Sequence, residues 1–185
     1  MKTTLAPSLF GLPAQNDFSE TVQQQFNDTC AIKSQQLILE SVGIDISEVE
    51  LREEAIRNGW YCPYQGTPLE YSGKLLEYHG LPVQQHLHGS IFNLVSELSK
   101  GHPIIVGVDS GELWNKGIDE TMEDLIFGEF PDHALIVGGI EYNGLLSDWQ
   151  VNVIDPGTGG NLTSYDLEQF EDAWADSDYF MVTLD

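Results

Sequence analysis

Apolar positions in the first hundred residues recur at helical spacing, and they come in blocks bounded by capping residues and glycines. The first block, Cys30 to about Val42, places Ala31, Ile38 and Val42 on one side; Asp28 or Thr29 can cap it, and Gly43 follows. In "SEVELREEAIRNG" Ser47 and Glu50 have the spacing of a capping box and Gly59 marks the end. A third helix is predicted in "TPLEYSGKLLEYHG", with Thr67 as cap, Pro68 at the first helical position and Gly80 as the stop. A fourth runs from Ile91 to Lys100, closed by Gly101.

The period then changes. "PIIVGVD" (Pro103–Asp109), "HALIVGGI" (His133–Ile140), "WQVNVID" (Trp149–Asp155) and "DYFMVTL" (Asp178–Leu184) are short apolar runs of strand length. A last short helix is expected from about Ser164 to Trp174. Helices first and strands later predict an α+β fold, N-terminal helices packed on a C-terminal antiparallel sheet. The expected organisation is an irregular N-terminal arm over residues 1–20 and one domain over 21–185. An acidic insertion at about 110–132 parts two strands and reads as a surface loop or flap.

Composition narrows the class. With 185 residues and 41% hydrophobic positions, the chain can bury one core. No apolar run approaches the roughly 18 residues of a membrane span. Seven basic residues stand against 30 acidic ones, a net charge of −23. That argues strongly against a nucleic-acid or anionic-membrane surface; it is compatible with a basic protein partner and equally with solubility alone. Two cysteines do not make a disulfide framework and fit a reducing compartment. The stretch "MKTTLAPSLFGLPAQNDF" lacks the features of a secretory signal peptide. The expectation is a cytoplasmic protein, or an effector exported without a classical signal.

Chemistry concentrates on Cys30. A thiol at a helix start meets unpaired backbone N–H groups and the positive end of the helix dipole, which favour the nucleophilic thiolate. A lone cysteine is more often a small core residue, so the weight comes from its company. His133 opens one strand and Asp155 closes the next. If the two strands are antiparallel neighbours, both side chains meet at one edge of the sheet. The imidazole can then take the thiol proton and the carboxylate can fix the ring. Upstream, Gln23, Gln24 and Gln25 are each near enough to offer an amide donor to an oxyanion, beside the Cys30 N–H. Trp149 is a candidate to shield the His133–Asp155 contact and equally a core tryptophan. Cys62 reads as a packed thiol. "HLH" (His86–His88) with His79 lacks a metal-site pattern, and "GTGG" (Gly157–Gly160) reads as a turn.

Gln–x5–Cys at a helix start, followed by His–Ala–x–x–Val–x–Gly and then Ile–Asp–Pro, resembles the papain-like cysteine peptidases. The branch it resembles is the bacterial bacteriocin-processing, double-glycine leader peptidases and their stand-alone relatives. The likeness runs from about Gln24 to the C-terminus, through "EEAIRNGW", "GTPLEYSGKLLEYHGLPV" and "LSKGHPIIVGVD". It implies a papain-like fold with Cys30 as nucleophile, His133 as general base, Asp155 as the orienting group and Gln24 as oxyanion donor, with Gln25 in reserve. No metal or organic cofactor is implied. The family usually has Gly after the nucleophile and often Asp before it; here Ala31 follows, Thr29 precedes and Asp28 lies one position further out.

The expected function is peptide-bond cleavage through a Cys–His–Asp triad on a protein or peptide substrate, with a toxin or effector role as one setting. The same residues serve a deamidase or transglutaminase, and a non-catalytic peptide-binding module is the remaining alternative.

Overall fold

The computed structural model describes residues 10–11, 22–114 and 131–185, with the backbone alone for Phe10, Gly11, Gly160 and Asn161. Helix α1 (Cys30–Ser41) and helix α2 (Glu48–Asn58) lie where the spacing predicts them. The Ser47–Glu50 capping box is made in both directions, and Gly59 closes α2 in the left-handed conformation with φ 72°.

The third predicted helix is broken. A 3-10 turn at Leu69–Tyr71 and helix α3 (Lys74–Tyr78) are separated at Gly73, whose φ is 95°. A Cβ there would sit 3.0 Å from Val182 and 3.1 Å from Val83, so the chain bends where a side chain has no room. Helix α4 (Ile91–Leu98) follows, capped by Ser90.

The strands are β1 (Phe10–Gly11), β2 (Val83–His86), β3 (Ile104–Val108), β4 (His133–Asn143), β5 (Asp148–Asp155), β6 (Gly160–Asp166) and β7 (Met181–Leu184). They form one antiparallel sheet in the order β2-β7-β3-β4-β5-β6, with β1 against β4 at Ile140 and Gly139. Residues 1–9 and 12–20 of the expected arm lie outside the described residues, as do 115–130 of the expected insertion. The start of that insertion is a short helix, α5 (Ser110–Trp114). Gln169 of helix α6 (Leu167–Ala175) holds the end of α5 by donating to the Leu113 carbonyl at 2.8 Å.

Both faces of the sheet are covered, which is why its central strands are continuous apolar runs instead of alternating ones. Ile105, Ala134, Ile136, Ile154 and Val182 join the core beneath α1, α2 and α3. Ile104, Val106, Leu135, Val137 and Val153 face the opposite core, with α4 and α6. The result is an α+β architecture of helices packed on an antiparallel sheet, and it brings the N-terminus of α1 against the start of β4.

Candidate active site

Cys30 is the first residue of α1 and is partly exposed. Thr29 occupies the N-cap position, but its hydroxyl does not cap the helix. It lies 2.6 Å from Glu48 Oε1 and 3.0 Å from the Phe26 carbonyl. Asp28, the other expected cap, accepts from the Tyr64 N–H at 2.6 Å. The first-turn amides of α1 have no intrahelical acceptor by geometry, and no side chain from the cap position covers them.

His133 pairs with Val108 at the mouth of the sheet, and Asp155 ends β5 beside it. His133 Nε2 and Asp155 Oδ1 are 2.7 Å apart, with the His133 side chain 6% exposed and Asp155 fully buried. With Nε2 on the carboxylate, Nδ1 is the ring nitrogen left to face Cys30, which lines the same cleft. Burial alone would lower the His133 pKa. The hydrogen bonds to Asp155 and Cys30, with the charges of both, overcome that and raise it to about 10. For Asp155 burial pulls upward, while His133, the Gly157 N–H and Trp114 together hold the carboxyl below its ordinary range. Cys30, His133 and Asp155, drawn from three distant stretches, therefore meet in one place.

Trp114 Nε1 donates to Asp155 Oδ2 at 3.0 Å, and its ring lies 5.1 Å from the His133 ring, centre to centre. It covers the contact that Trp149 was a candidate to cover. Trp149 instead stands 39% exposed against Tyr142, away from the site. Sequence reading missed Trp114 because it sits at the head of the insertion, with no periodic pattern to mark it. Gly157 belongs to the same cluster. Its N–H donates to Asp155 Oδ1 at 2.8 Å, and a Cβ on it would come within 2.9 Å of His133 Cε1 and 3.0 Å of Trp114. The "DPGTGG" turn thus packs onto the imidazole at a distance only glycine allows.

The glutamine segment lies along the same turn. The Gln24 N–H donates to the Pro156 carbonyl at 2.9 Å. The Gln24 side chain donates from Nε2 to the Phe26 carbonyl at 2.6 Å, while its Oε1 is buried without a hydrogen-bond partner. Gln25 is exposed, and its N–H is held by Glu48.

An open cleft of about 540 Å³ runs past Cys30 and His133, walled by Asp28, Asp132 and the Cys62–Gly66 hairpin. Cys62 is exposed on that wall, not packed. Tyr64, 98% exposed at φ 70°, forms its rim. The wall is tied to the helices by Arg52, which stacks on Phe26 and Tyr61 at 4.5 and 5.3 Å from their ring centres. Asp132 accepts from the Ser110 N–H and hydroxyl at 2.8 and 2.9 Å, closing the base of the insertion beside His133. His79, His86 and His88 have separate partners: His79 bonds Glu54, His86 bonds Thr183 and His88 bonds Asp178.

Residues 14–180 match the Peptidase_C39 like family. The chain belongs to that family. Solved structures that share the fold include three described as peptidases or peptidase domains. The peptidase domain of Streptococcus ComA, a bifunctional ABC transporter involved in quorum sensing, has a TM-score of 0.61 at 18% identity, covering 88% of this chain and 94% of that one. A C39-like peptidase from Bacillus anthracis has a TM-score of 0.63 at 17% identity, covering 95% and 97%. A double glycine motif protease from an AMS/PCAT transporter, solved with its leader peptide, has a TM-score of 0.60 at 13% identity, covering 98% of each. Two uncharacterized mycobacterial proteins, Rv1268c of Mycobacterium tuberculosis and Mb1299c of Mycobacterium bovis, are 34% identical over 86 residues, 45% of this chain. The match spans 34% of their own length. Membership of the C39-like family and the shared fold support a cysteine-peptidase-type function. Among the described residues, no helix is long and apolar enough to cross a membrane.

Proposed function

We propose that this C39-like protein cleaves peptide bonds with Cys30 as nucleophile, His133 as acid and base, and Asp155 as the group that orients and charges the ring. The carrying observation is the imidazole held between the buried Asp155 carboxylate and the Cys30 side chain at a helix N-terminus, facing an open cleft. His133 takes the thiol proton and Cys30 Sγ attacks the carbonyl carbon. The oxyanion is received by the amides at the start of α1 and by Gln24. Gln24 Nε2 carries two hydrogens; one is on the Phe26 carbonyl and the other is the one an oxyanion would take. As the C–N bond breaks, the His133 proton passes to the leaving amine, and water then releases the acyl group from sulfur. The substrate is a protein or peptide threaded through the cleft, with basic side chains favoured because, among the described residues that line it, Asp28 and Asp132 are acidic and none is Lys or Arg.

Incubating a mixed proteome with the protein and with Cys30→Ala tests this. New N-termini that depend on Cys30, with an unfolding midpoint unchanged in the variant, are the expected result. Equal activity of Cys30→Ala removes the mechanism. A mass gain of about one dalton at glutamines without new termini would assign the same residues to deamidation. Failure of a thiol electrophile to label Cys30 in the folded protein would leave peptide binding as the function.

A further inference from the structure

Glu48 is a carboxylate with no exposure, at the first position of α2, and the steps above do not use it. Burying a carboxylate is costly unless hydrogen bonds replace its water. Its own helix does not supply the reason for it, since α2 is already capped by Ser47 and Glu50. Its carboxylate accepts instead from the segment before the nucleophile. The Gln25 N–H lies 3.0 Å from both oxygens, and the Thr29 hydroxyl 2.6 Å from Oε1.

The two anchored residues have telling neighbours. Gln25 follows Gln24, and Thr29 precedes Cys30. One buried carboxylate therefore fixes both ends of the short loop between the candidate oxyanion donor and the candidate nucleophile. It also holds the Thr29 hydroxyl, and Thr29 makes no side-chain cap on α1. The amides at the head of α1 are then left to a ligand. Inside the loop the Phe26 carbonyl receives the Gln24 amide, so the same clamp sets where that side chain points.

We infer that Glu48 is a positioning residue that holds the Gln24 side chain and the α1 amides in register with the Cys30 sulfur, so that a tetrahedral oxyanion finds its donors in place. This rests on the peptidase reading above. It predicts a selective defect. Capture of a tetrahedral adduct depends on donor placement, and a misplacement of about 1 Å costs on the order of 100-fold. Alkylation of the sulfur by iodoacetamide forms no oxyanion and depends on donor placement far less.

The test measures two quantities on the full chain. One is the Kd of N-acetyl-lysyl-glycinal, whose aldehyde carbon accepts Cys30 Sγ to give a hemithioacetal, the thiol proton ending on the former carbonyl oxygen or on His133. The other is the rate of iodoacetamide alkylation at Cys30. In Glu48→Ala the aldehyde is expected to bind about 10- to 100-fold more weakly, with alkylation within about threefold of wild type. Glu48→Gln should lie between, because one amide oxygen can still accept from both Gln25 and Thr29. Thr29→Val, which removes the hydroxyl that meets Glu48 and the Phe26 carbonyl and keeps the shape, should lose about three- to tenfold. Where Glu48→Ala does not fold, the other two variants carry the test. Unchanged aldehyde binding in folded variants overturns the role of Glu48 while leaving the peptidase reading standing. A proportional loss of both quantities overturns it as well, since that is the mark of general disruption. A wild-type protein that is alkylated at Cys30 but captures no aldehyde removes the peptidase reading, and this inference with it.

Discussion

His133 is a buried imidazole whose charge is decided by its neighbours. Burial opposes its protonation, and Asp155 and Cys30 restore it and carry the pKa to about 10. Replacing Asp155 by Asn keeps the size of the side chain and removes the charge. It also turns an amide N–H₂ toward either Trp114 Nε1 or the His133–Gly157 side, where the carboxylate now accepts hydrogen bonds. The His133 pKa in Asp155→Asn is expected to drop below about 10, so the alkaline limb of kcat/KM moves at least one pH unit toward neutrality. Activity at neutral pH should fall about 100-fold or more, by analogy of role with the orienting carboxylate of serine triads. A pH–rate profile of both proteins checks this. Stability follows the same two groups. The depressed Asp155 contributes stability that is present above the ordinary carboxylate pKa of about 3.9 and is lost as pH falls through its native value. The raised His133 contributes stability that is complete below about 6.5 and is lost as pH rises through about 10.

At the scale of elements, what could be read from the chain depended on whether local signals or tertiary packing set the structure. Helix α2 was legible because its capping box is local, and α1 and α4 because their apolar spacing is followed by Gly43 and Gly101 at positive φ. The central strands β3, β4 and β5 were legible because burial on both faces makes them apolar throughout. Strands β2 and β6 were not, for "VQQH" and "GNLTSYD" are polar edge strands whose pairing comes from the neighbouring strand and not from their own pattern. The end of β6 also takes the first three residues of the expected last helix: Ser164–Asp166 are strand. The meeting of Cys30, His133 and Asp155 could be anticipated from element order, because antiparallel neighbours put the start of one strand beside the end of the next. Trp114, Gly157 and Glu48 could not, since each acts through a contact that no periodicity encodes. The break before α3 is of that kind too, and it can be tested. Gly73→Ala would force a Cβ against Val182 and Val83 at a φ of 95°, where L-residues are strained. The expected cost is about 1–3 kcal/mol, seen as a drop of several degrees in the thermal unfolding midpoint. An unchanged midpoint would show that the β2-β7 edge yields freely.

The whole molecule carries a charge of −23, and that field acts on folding and on substrate in opposite directions. Within the fold like charges repel, so the compact state is penalised; outside it, a cationic peptide is drawn in. The cleft adds a local bias, since Asp28 and Asp132 line it and none of the other described lining residues is Lys or Arg. Burial works against ionisation of Asp28, but hydrogen bonds from Tyr61 and the Tyr64 N–H, with Arg52 nearby, hold its carboxyl below the usual range, so it is charged at neutral pH. Salt shortens the reach of both effects, from about 10 Å at 0.1 M to about 3 Å at 1 M. Raising salt should therefore increase the thermal midpoint while lowering kcat/KM for a peptide with three lysines around its scissile bond, by about tenfold between 0.02 and 0.5 M. An uncharged peptide of the same length should change less than about twofold over that range. If the two peptides respond alike, the acidic field does not select substrate, and the excess of carboxylates acts on solubility and folding alone.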